Sequence, residues 1–174
     1  MKQTLIVYHS RTGHTKRVAQ ALARKLDADL DGIRVVQALD GALGYAMCAI
    51  EAIAGLAPAL RPMHRNAAAY ELVLIGTPVW FWSLASPVRS WLEAHPLKHR
   101  VAFFCTMGSS GAQRVFATMA ELAGREPVAT LALLGKELDG PFERKLDAFA
   151  QRLQANAPQR PTARPAQGRA LHAA

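Results

Sequence analysis

Short apolar runs of strand length alternate with longer amphipathic runs, and that alternation constrains this 174-residue chain more than any other feature. Thr4-Leu5-Ile6-Val7-Tyr8 reads as a buried strand. Val18, Leu22 and Leu26 then recur at i, i+4 and i+8, one face of a helix. Ile33–Val36 gives a second strand, Leu72–Gly76 a third, Val101–Cys105 a fourth and Val128–Leu134 a fifth. Ser86 and Pro87 supply a capping hydroxyl and an N-terminal proline for a helix with Val88, Trp91 and Leu92 inside. Val115, Met119 and Leu122 mark another helix, which Gly124 can terminate. Pro141 starts a last helix whose apolar face is Phe142, Leu146, Phe149 and Leu153. Continuously apolar strands separated by helices belong to a parallel sheet covered on both faces. Five such units make a doubly wound α/β domain over residues 1–155. Its ligand belongs beyond the carboxyl ends of the strands, in the loops after Tyr8, Gly76 and Cys105.

Composition narrows the class. A chain that is 51% hydrophobic and 20% charged is neither disordered nor fibrous. Cys48 and Cys105 are too few for a disulfide scaffold and lack zinc-site spacing. No apolar run reaches the roughly 18 residues of a membrane span, so no stable membrane insertion is expected. The N-terminal apolar run, Leu5–Tyr8, is too short for a signal-peptide core, which gives the cytoplasm as the expected compartment. Twenty-one Lys and Arg against thirteen Asp and Glu leave a net charge of +8. The charges are scattered, without a basic run or interleaved aromatics, so nucleic acid is not the expected partner. Residues 40–66 fall outside the alternation and carry Leu43, Met47, Ile50 and Ala54 on one stripe. They read as a helix packed on the sheet, with a homodimer contact or a membrane-surface helix as alternatives. Residues 156–174 lack periodicity and read as a flexible tail.

The first loop carries the sharpest chemical signal. Ser10-Arg11-Thr12-Gly13-His14-Thr15 brings three hydroxyls, a glycine and unpaired backbone N–H groups to the start of a helix. A phosphate monoester needs that combination of amide and hydroxyl donors at the positive end of a helix dipole. The loop has neither the Gly-Lys-Ser/Thr of a Walker motif nor the Gly-x-Gly-x-x-Gly of a dinucleotide fingerprint.

The residues from Leu5 to Thr15 resemble the phosphate-loop signature of flavodoxins: apolar strand, aromatic residue, then Ser/Thr-x-Thr-Gly-x-Thr. Gly76-Thr77-Pro78-Val79-Trp80 resembles the loop in which that family stacks a tryptophan on the flavin ring. Cys105-Thr106-Met107-Gly108-Ser109-Ser110-Gly111 stands where the family wraps backbone amides around the flavin pyrimidine. The resemblance implies a flavodoxin-like five-stranded sheet of order 2-1-3-4-5 with FMN as cofactor. Ser10, Thr12, Gly13 and Thr15, with the amides of Arg11 and His14, would take the phosphate. Thr77, Pro78, Val79 and Trp80 would line the ring, with Phe81 or Trp82 covering it or meeting a partner. Thr106, Met107, Gly108 and Gly111 would meet the pyrimidine.

The chain departs from acidic electron-carrier flavodoxins in being basic, and its third loop has no tyrosine to cover the outer ring face. An open face admits a nicotinamide or a quinone. The resemblance therefore implies electron or hydride transfer from NAD(P)H through FMN to a quinone or other small-molecule electron acceptor, with a homodimer among the states open to it. The alternative is an electron carrier served by a separate reductase. No side-chain acid or base is needed, because the flavin carries the chemistry. Three other patterns are set aside. Asp27-x-Asp29-x-Asp31-Gly32 imitates a calcium loop without its terminal glutamate. Cys105 lacks a phosphatase arginine at the right distance, and His95 and His99 straddle Pro96.

Overall fold

The computed structural model describes residues 3–36 and 58–156. The expected 40–66 helix lies outside them except for residues 58–66, and Cys48 and the tail beyond Asn156 lie outside as well. Along the chain come β1 (Thr4–Tyr8), α1 (His14–Leu26), β2 (Asp29–Gly32), β3 (Leu72–Trp80), β4 (Ser83–Leu84) and α2 (Ser86–Ala94). There follow β5 (Arg100–Met107), α3 (Ala112–Ala123), β6 (Thr130–Leu134) and α4 (Glu143–Ala155). The sheet order is β2-β1-β3-β5-β6, with β4 folded back on β3 as an antiparallel hairpin. Counting the parallel strands alone, this is the expected order 2-1-3-4-5.

The period-two alternation of the strands divides the core between two faces. Leu5, Val7, Val73, Ile75, Val101 and Phe103 face α2 and α3, meeting Val88, Trp91, Val115 and Met119. Ile6, Leu72, Leu74, Ala102 and Phe104 face α1 and α4, meeting Val18, Leu22, Leu146, Phe149 and Leu153. α3 ends where its sequence says it should. Gly124 takes φ +63 and caps α3, and its N–H reaches Ala120 and Glu121 carbonyls.

Four expectations need correction. The second strand is Asp29–Gly32, not Ile33–Val36. Its acidic residues pair in register with Leu5 and Val7 of β1 and find long-range partners. Asp29 accepts from the Tyr70 hydroxyl at 2.7 Å and from Arg65 at 3.2 Å. Asp31 accepts from the His64 and Arg65 amides at 2.7 and 2.8 Å. Val35 instead leaves the sheet and forms an antiparallel bridge with Leu60. β3 runs on past Gly76 to Trp80, because β4 gives its last residues a partner. Ser86 is the first residue of α2 rather than its cap, and Ala85 holds the N-cap position without a side-chain bond. Asn156 belongs to α4 as its C-cap and donates to the Val128 carbonyl at 3.0 Å.

One contact at the centre of the sheet requires a glycine. Gly76 lies opposite Phe104, and a Cβ built on it would come within 2.1 Å of the Phe104 ring. Phe104 is fully buried and has nowhere to go. Gly76→Ala is expected to destabilise the fold by about 1–3 kcal/mol through overpacking. In denaturant unfolding, the double variant with Phe104→Leu should lose less than the two single changes added together.

Candidate functional site

The loops after β1, β3 and β5 meet at the carboxyl edge of the sheet. The first begins at His9, whose amide extends the β1 pairing by donating to the Gly76 carbonyl at 3.0 Å. Its ring Nδ1 lies 3.1 Å from the Ile33 carbonyl, which can only accept, so Nδ1 carries the proton. Burial pushes the His9 imidazolium below its ordinary range, and the nearby Arg11 charge adds to this against the Ile33 carbonyl. A neutral imidazole therefore stands edge-on to Trp80, with ring centres 5.5 Å apart.

Ser10 follows, and its buried hydroxyl oxygen has no hydrogen-bond partner. An orphaned buried hydroxyl costs on the order of 1–3 kcal/mol unless something fills the need. Thr12, Gly13 and His14 are exposed. Gly13 is the N-cap of α1 at φ +93, no side chain caps the helix, and a Cβ there would meet nothing within 4 Å. Beside Gly13 there is open space at the start of α1. A phosphate fits this set: an idle hydroxyl, an uncapped helix start and a glycine in the left-handed region.

Thr15 departs from the simple expectation. Its buried hydroxyl lies 2.8 Å from the equally buried Thr106 hydroxyl, and either can donate. The pair ties the first loop to the third. Near it, the His14 ring and the Met107 carbonyl both flank Gly135, at 3.9 Å from a Cβ built there.

The second loop is a hairpin. Thr77 is buried and donates to the Pro78 carbonyl at 2.9 Å, while Val79 and Trp80 are half-buried against the core. Phe81 and Trp82 form the tip at φ +47 and +57. Two left-handed residues suit the right-handed twist of a two-residue hairpin, but Asn and Gly usually fill them, and side chains there store strain. Both aromatics remain exposed, Phe81 at 43% and Trp82 at 58%. The Trp82 indole N–H donates to the Ser110 hydroxyl at 3.0 Å, joining the second loop to the third. Gly111, at φ +108, lets the backbones approach, since a Cβ there would lie 3.0 Å from the Trp82 Cα. Gly108, Ser109 and Ser110 are exposed.

Sequence reasoning missed the Thr15–Thr106 and Trp82–Ser110 bonds, because neither partner announces the other. The hairpin was hidden for the opposite reason: its tip lacks the glycine or asparagine that signals one.

Cys105 is buried, and burial pushes its thiol up to about 12, the reverse of a nucleophile. Asp29 and Asp31 are strand residues, and no metal-binding cluster exists among the described residues. His95 bonds the Trp91 carbonyl and His99 the Ala68 carbonyl, so they do not converge. No helix among the described residues is long and apolar enough to cross a membrane.

Two outcomes follow. Thr15→Val should cost about 1–3 kcal/mol by orphaning the Thr106 hydroxyl, and the Thr15→Val, Thr106→Val double variant should cost less than the two singles added. The folded state holds the Cys105 proton more tightly than an unfolded thiol does, whose ordinary value is 9.0. Its stabilising effect is full below about pH 9 and lost as pH rises toward 12. Unfolding measured across this range should show a loss approaching ~1.4 kcal/mol per pH unit, reduced in Cys105→Ala.

The geometry has relatives. A flavoprotein from Lactobacillus acidophilus, solved in complex with FMN, is 26% identical, with 80% of this chain and 97% of that one covered at a TM-score of 0.65. Its apo-form, solved by NMR, superposes at 0.62 with 25% identity, covering 80% and 96% of the two chains. The oxidised flavodoxin 1 of Bacillus cereus, at 13% identity and a TM-score of 0.53, covers 88% of this chain and 99% of its own and shares the fold. No curated protein matches in sequence. The flavodoxin family profile matches residues 3–146, so the fold, the loop positions and the sequence pattern agree: the chain belongs to the flavodoxin family.

Proposed function

We propose that the chain binds FMN and works as an oxidoreductase, passing electrons from NAD(P)H to a quinone or other small acceptor. The observation that carries the cofactor is the Ser10 hydroxyl, buried and unpartnered beside an uncapped helix start. The complex of the L. acidophilus relative with FMN supports the same reading. Ser10, Thr12, Gly13 and Thr15, with the Arg11 and His14 amides, hold the phosphate. Thr77, Pro78, Val79, Trp80 and Phe81 line the ring, and Thr106, Met107, Gly108 and Gly111 meet its pyrimidine. Bound FMN supplies two-electron chemistry that no side chain here offers.

The chain's own residues then bind, orient and shield. The Thr15–Thr106 bond fixes the phosphate loop relative to the pyrimidine loop. The Trp82–Ser110 bond fixes the hairpin beside them. Beyond Met107 the third loop presents Gly108, Ser109 and Ser110 to solvent, so a flat second reactant has room beside the ring. That opening favours direct use of a nicotinamide. The exposed Phe81 and Trp82 favour the second reading, a carrier that docks on a protein partner.

Two measurements test this. FMN should bind far more tightly than riboflavin, and Ser10→Ala should weaken FMN by about 1.5–3 kcal/mol while leaving riboflavin unchanged. Equal affinity for FMN and riboflavin would remove the phosphate site. Anaerobic mixing of the FMN-loaded protein with NADH or NADPH should bleach the flavin absorbance. Tight FMN binding without bleaching by either nucleotide would leave the carrier.

A further inference from the structure

The segment after β2 makes a small ribbon with residues 59–61. Val36 N–H donates to the Ala59 carbonyl at 2.9 Å, and Arg61 N–H donates to the Arg34 carbonyl at 2.8 Å, around the antiparallel Val35–Leu60 bridge. In that register Arg34 and Arg61 stand directly opposite, and their side chains leave the same face of the ribbon. Like charges so placed repel. Both residues are exposed, and no carboxylate among the described residues pairs with either. The two nearby acids are already engaged: Asp29 with Tyr70 and Arg65, Asp31 with the His64 and Arg65 amides.

His64 adds direction. The Arg34 guanidinium can only donate, so its Nη2 donates to His64 Nε2 at 2.7 Å, and the proton of that imidazole sits on Nδ1. The Arg34 fork is therefore held in one orientation. The ribbon also abuts the first loop, since Ile33, next to Arg34, donates to the Tyr8 carbonyl at 2.7 Å and accepts from His9. It stands at the same sheet edge as the proposed cofactor site, yet uses none of the hydroxyls assigned to the FMN phosphate.

We propose that Arg34 and Arg61, with His64 orienting the first, bind a phosphomonoester dianion, the 2′-phosphate of NADPH, and so select NADPH over NADH. Two guanidinium forks on one face match the geometry and charge of such a group, and an arginine beside the cofactor site is a general solution to a 2′-phosphate. The proposal rests on the reading of a nicotinamide as reductant.

NADP⁺ and NAD⁺ differ only in that phosphate and neither reduces the flavin, so calorimetric titration of the FMN-loaded protein isolates binding. NADP⁺ is expected to bind about tenfold or more tightly than NAD⁺, with a preference that shrinks as salt is raised. The Arg34→Gln, Arg61→Gln variant should bring NADP⁺ down to the level of NAD⁺. It should also melt no lower than the parent, because the repulsion is gone. Arg24→Gln, Arg152→Gln removes the same charge from the last turns of α1 and α4, at the opposite edge of the sheet, and should keep the preference. Inorganic phosphate at the same concentrations should compete weakly; if it displaces NADP⁺ as well as 2′,5′-ADP does, the site is for free phosphate and the proposal falls. Equal binding of NADP⁺ and NAD⁺, or a preference that survives loss of both arginines, overturns it too. The two readings fail separately. Arginine-dependent NADP⁺ binding without bleaching by NADPH would end the reductase reading and keep the site. Equal bleaching by NADH and NADPH, with equal affinities, would do the reverse.

Discussion

β1, β3 and β5 have side chains packed against helices on both faces, and everything polar in the molecule must be arranged around that fact. Residues such as Leu5, Ile6, Val7, Leu74 and Phe103 have no exposure at all. A strand sandwiched this way can place polar chemistry only where it runs out of partners, at its ends, and here the loops at the carboxyl ends carry the hydroxyls. Thr77 and Thr106 are the first hydroxyls reached there, on neighbouring strands, and both are buried and hydrogen-bonded. Pro78 obeys the same geometry. It pairs with Thr106 on β5, but on its other side β1 has already ended at the Tyr8–Gly76 pair, so its missing N–H leaves no rung empty.

The second loop shows what holding a site open requires. Phe81 and Trp82 sit in backbone conformations that side chains avoid, and both remain partly exposed. What holds the tip is the β3–β4 pairing beneath it, the indole bond to Ser110, and a glycine at position 111 that lets the two loops touch. The sheet supplies the base on which the strained tip stands.

Much of this was legible in the sequence wherever the signal is local. The apolar runs of β1 and β5, and the helix faces of Val18-Leu22 and Leu146-Phe149-Leu153, need no knowledge of distant residues. β2 was not legible. Asp29 and Asp31 look like loop residues until Tyr70, Arg65 and the amides at 64–65 are brought to them from more than thirty positions away. The hydroxyls of the first loop, Ser10, Thr12 and Thr15, could be singled out because they lie close together in sequence. The commitment of Thr15 to Thr106 could not, since 91 positions separate them. Ser86 shows the converse error: a good capping residue that the fold buries inside the first turn instead.

The two threonine hydroxyls hold more hydrogen than their mutual bond consumes. Each has one hydrogen to give, and the 2.8 Å contact uses only one of the two. If Thr15 is the giver, the idle hydrogen belongs to Thr106; if Thr106 gives, it belongs to Thr15. The pair is a rotor with two settings, and an acceptor at one end fixes the setting felt at the other. An anion that takes the Thr15 hydrogen turns Thr106 toward Thr15 and leaves only lone pairs facing the third loop. An acceptor at the Thr15 end and one at the Thr106 end can thus sense each other by the rotation of two O–H bonds, with every heavy atom in place.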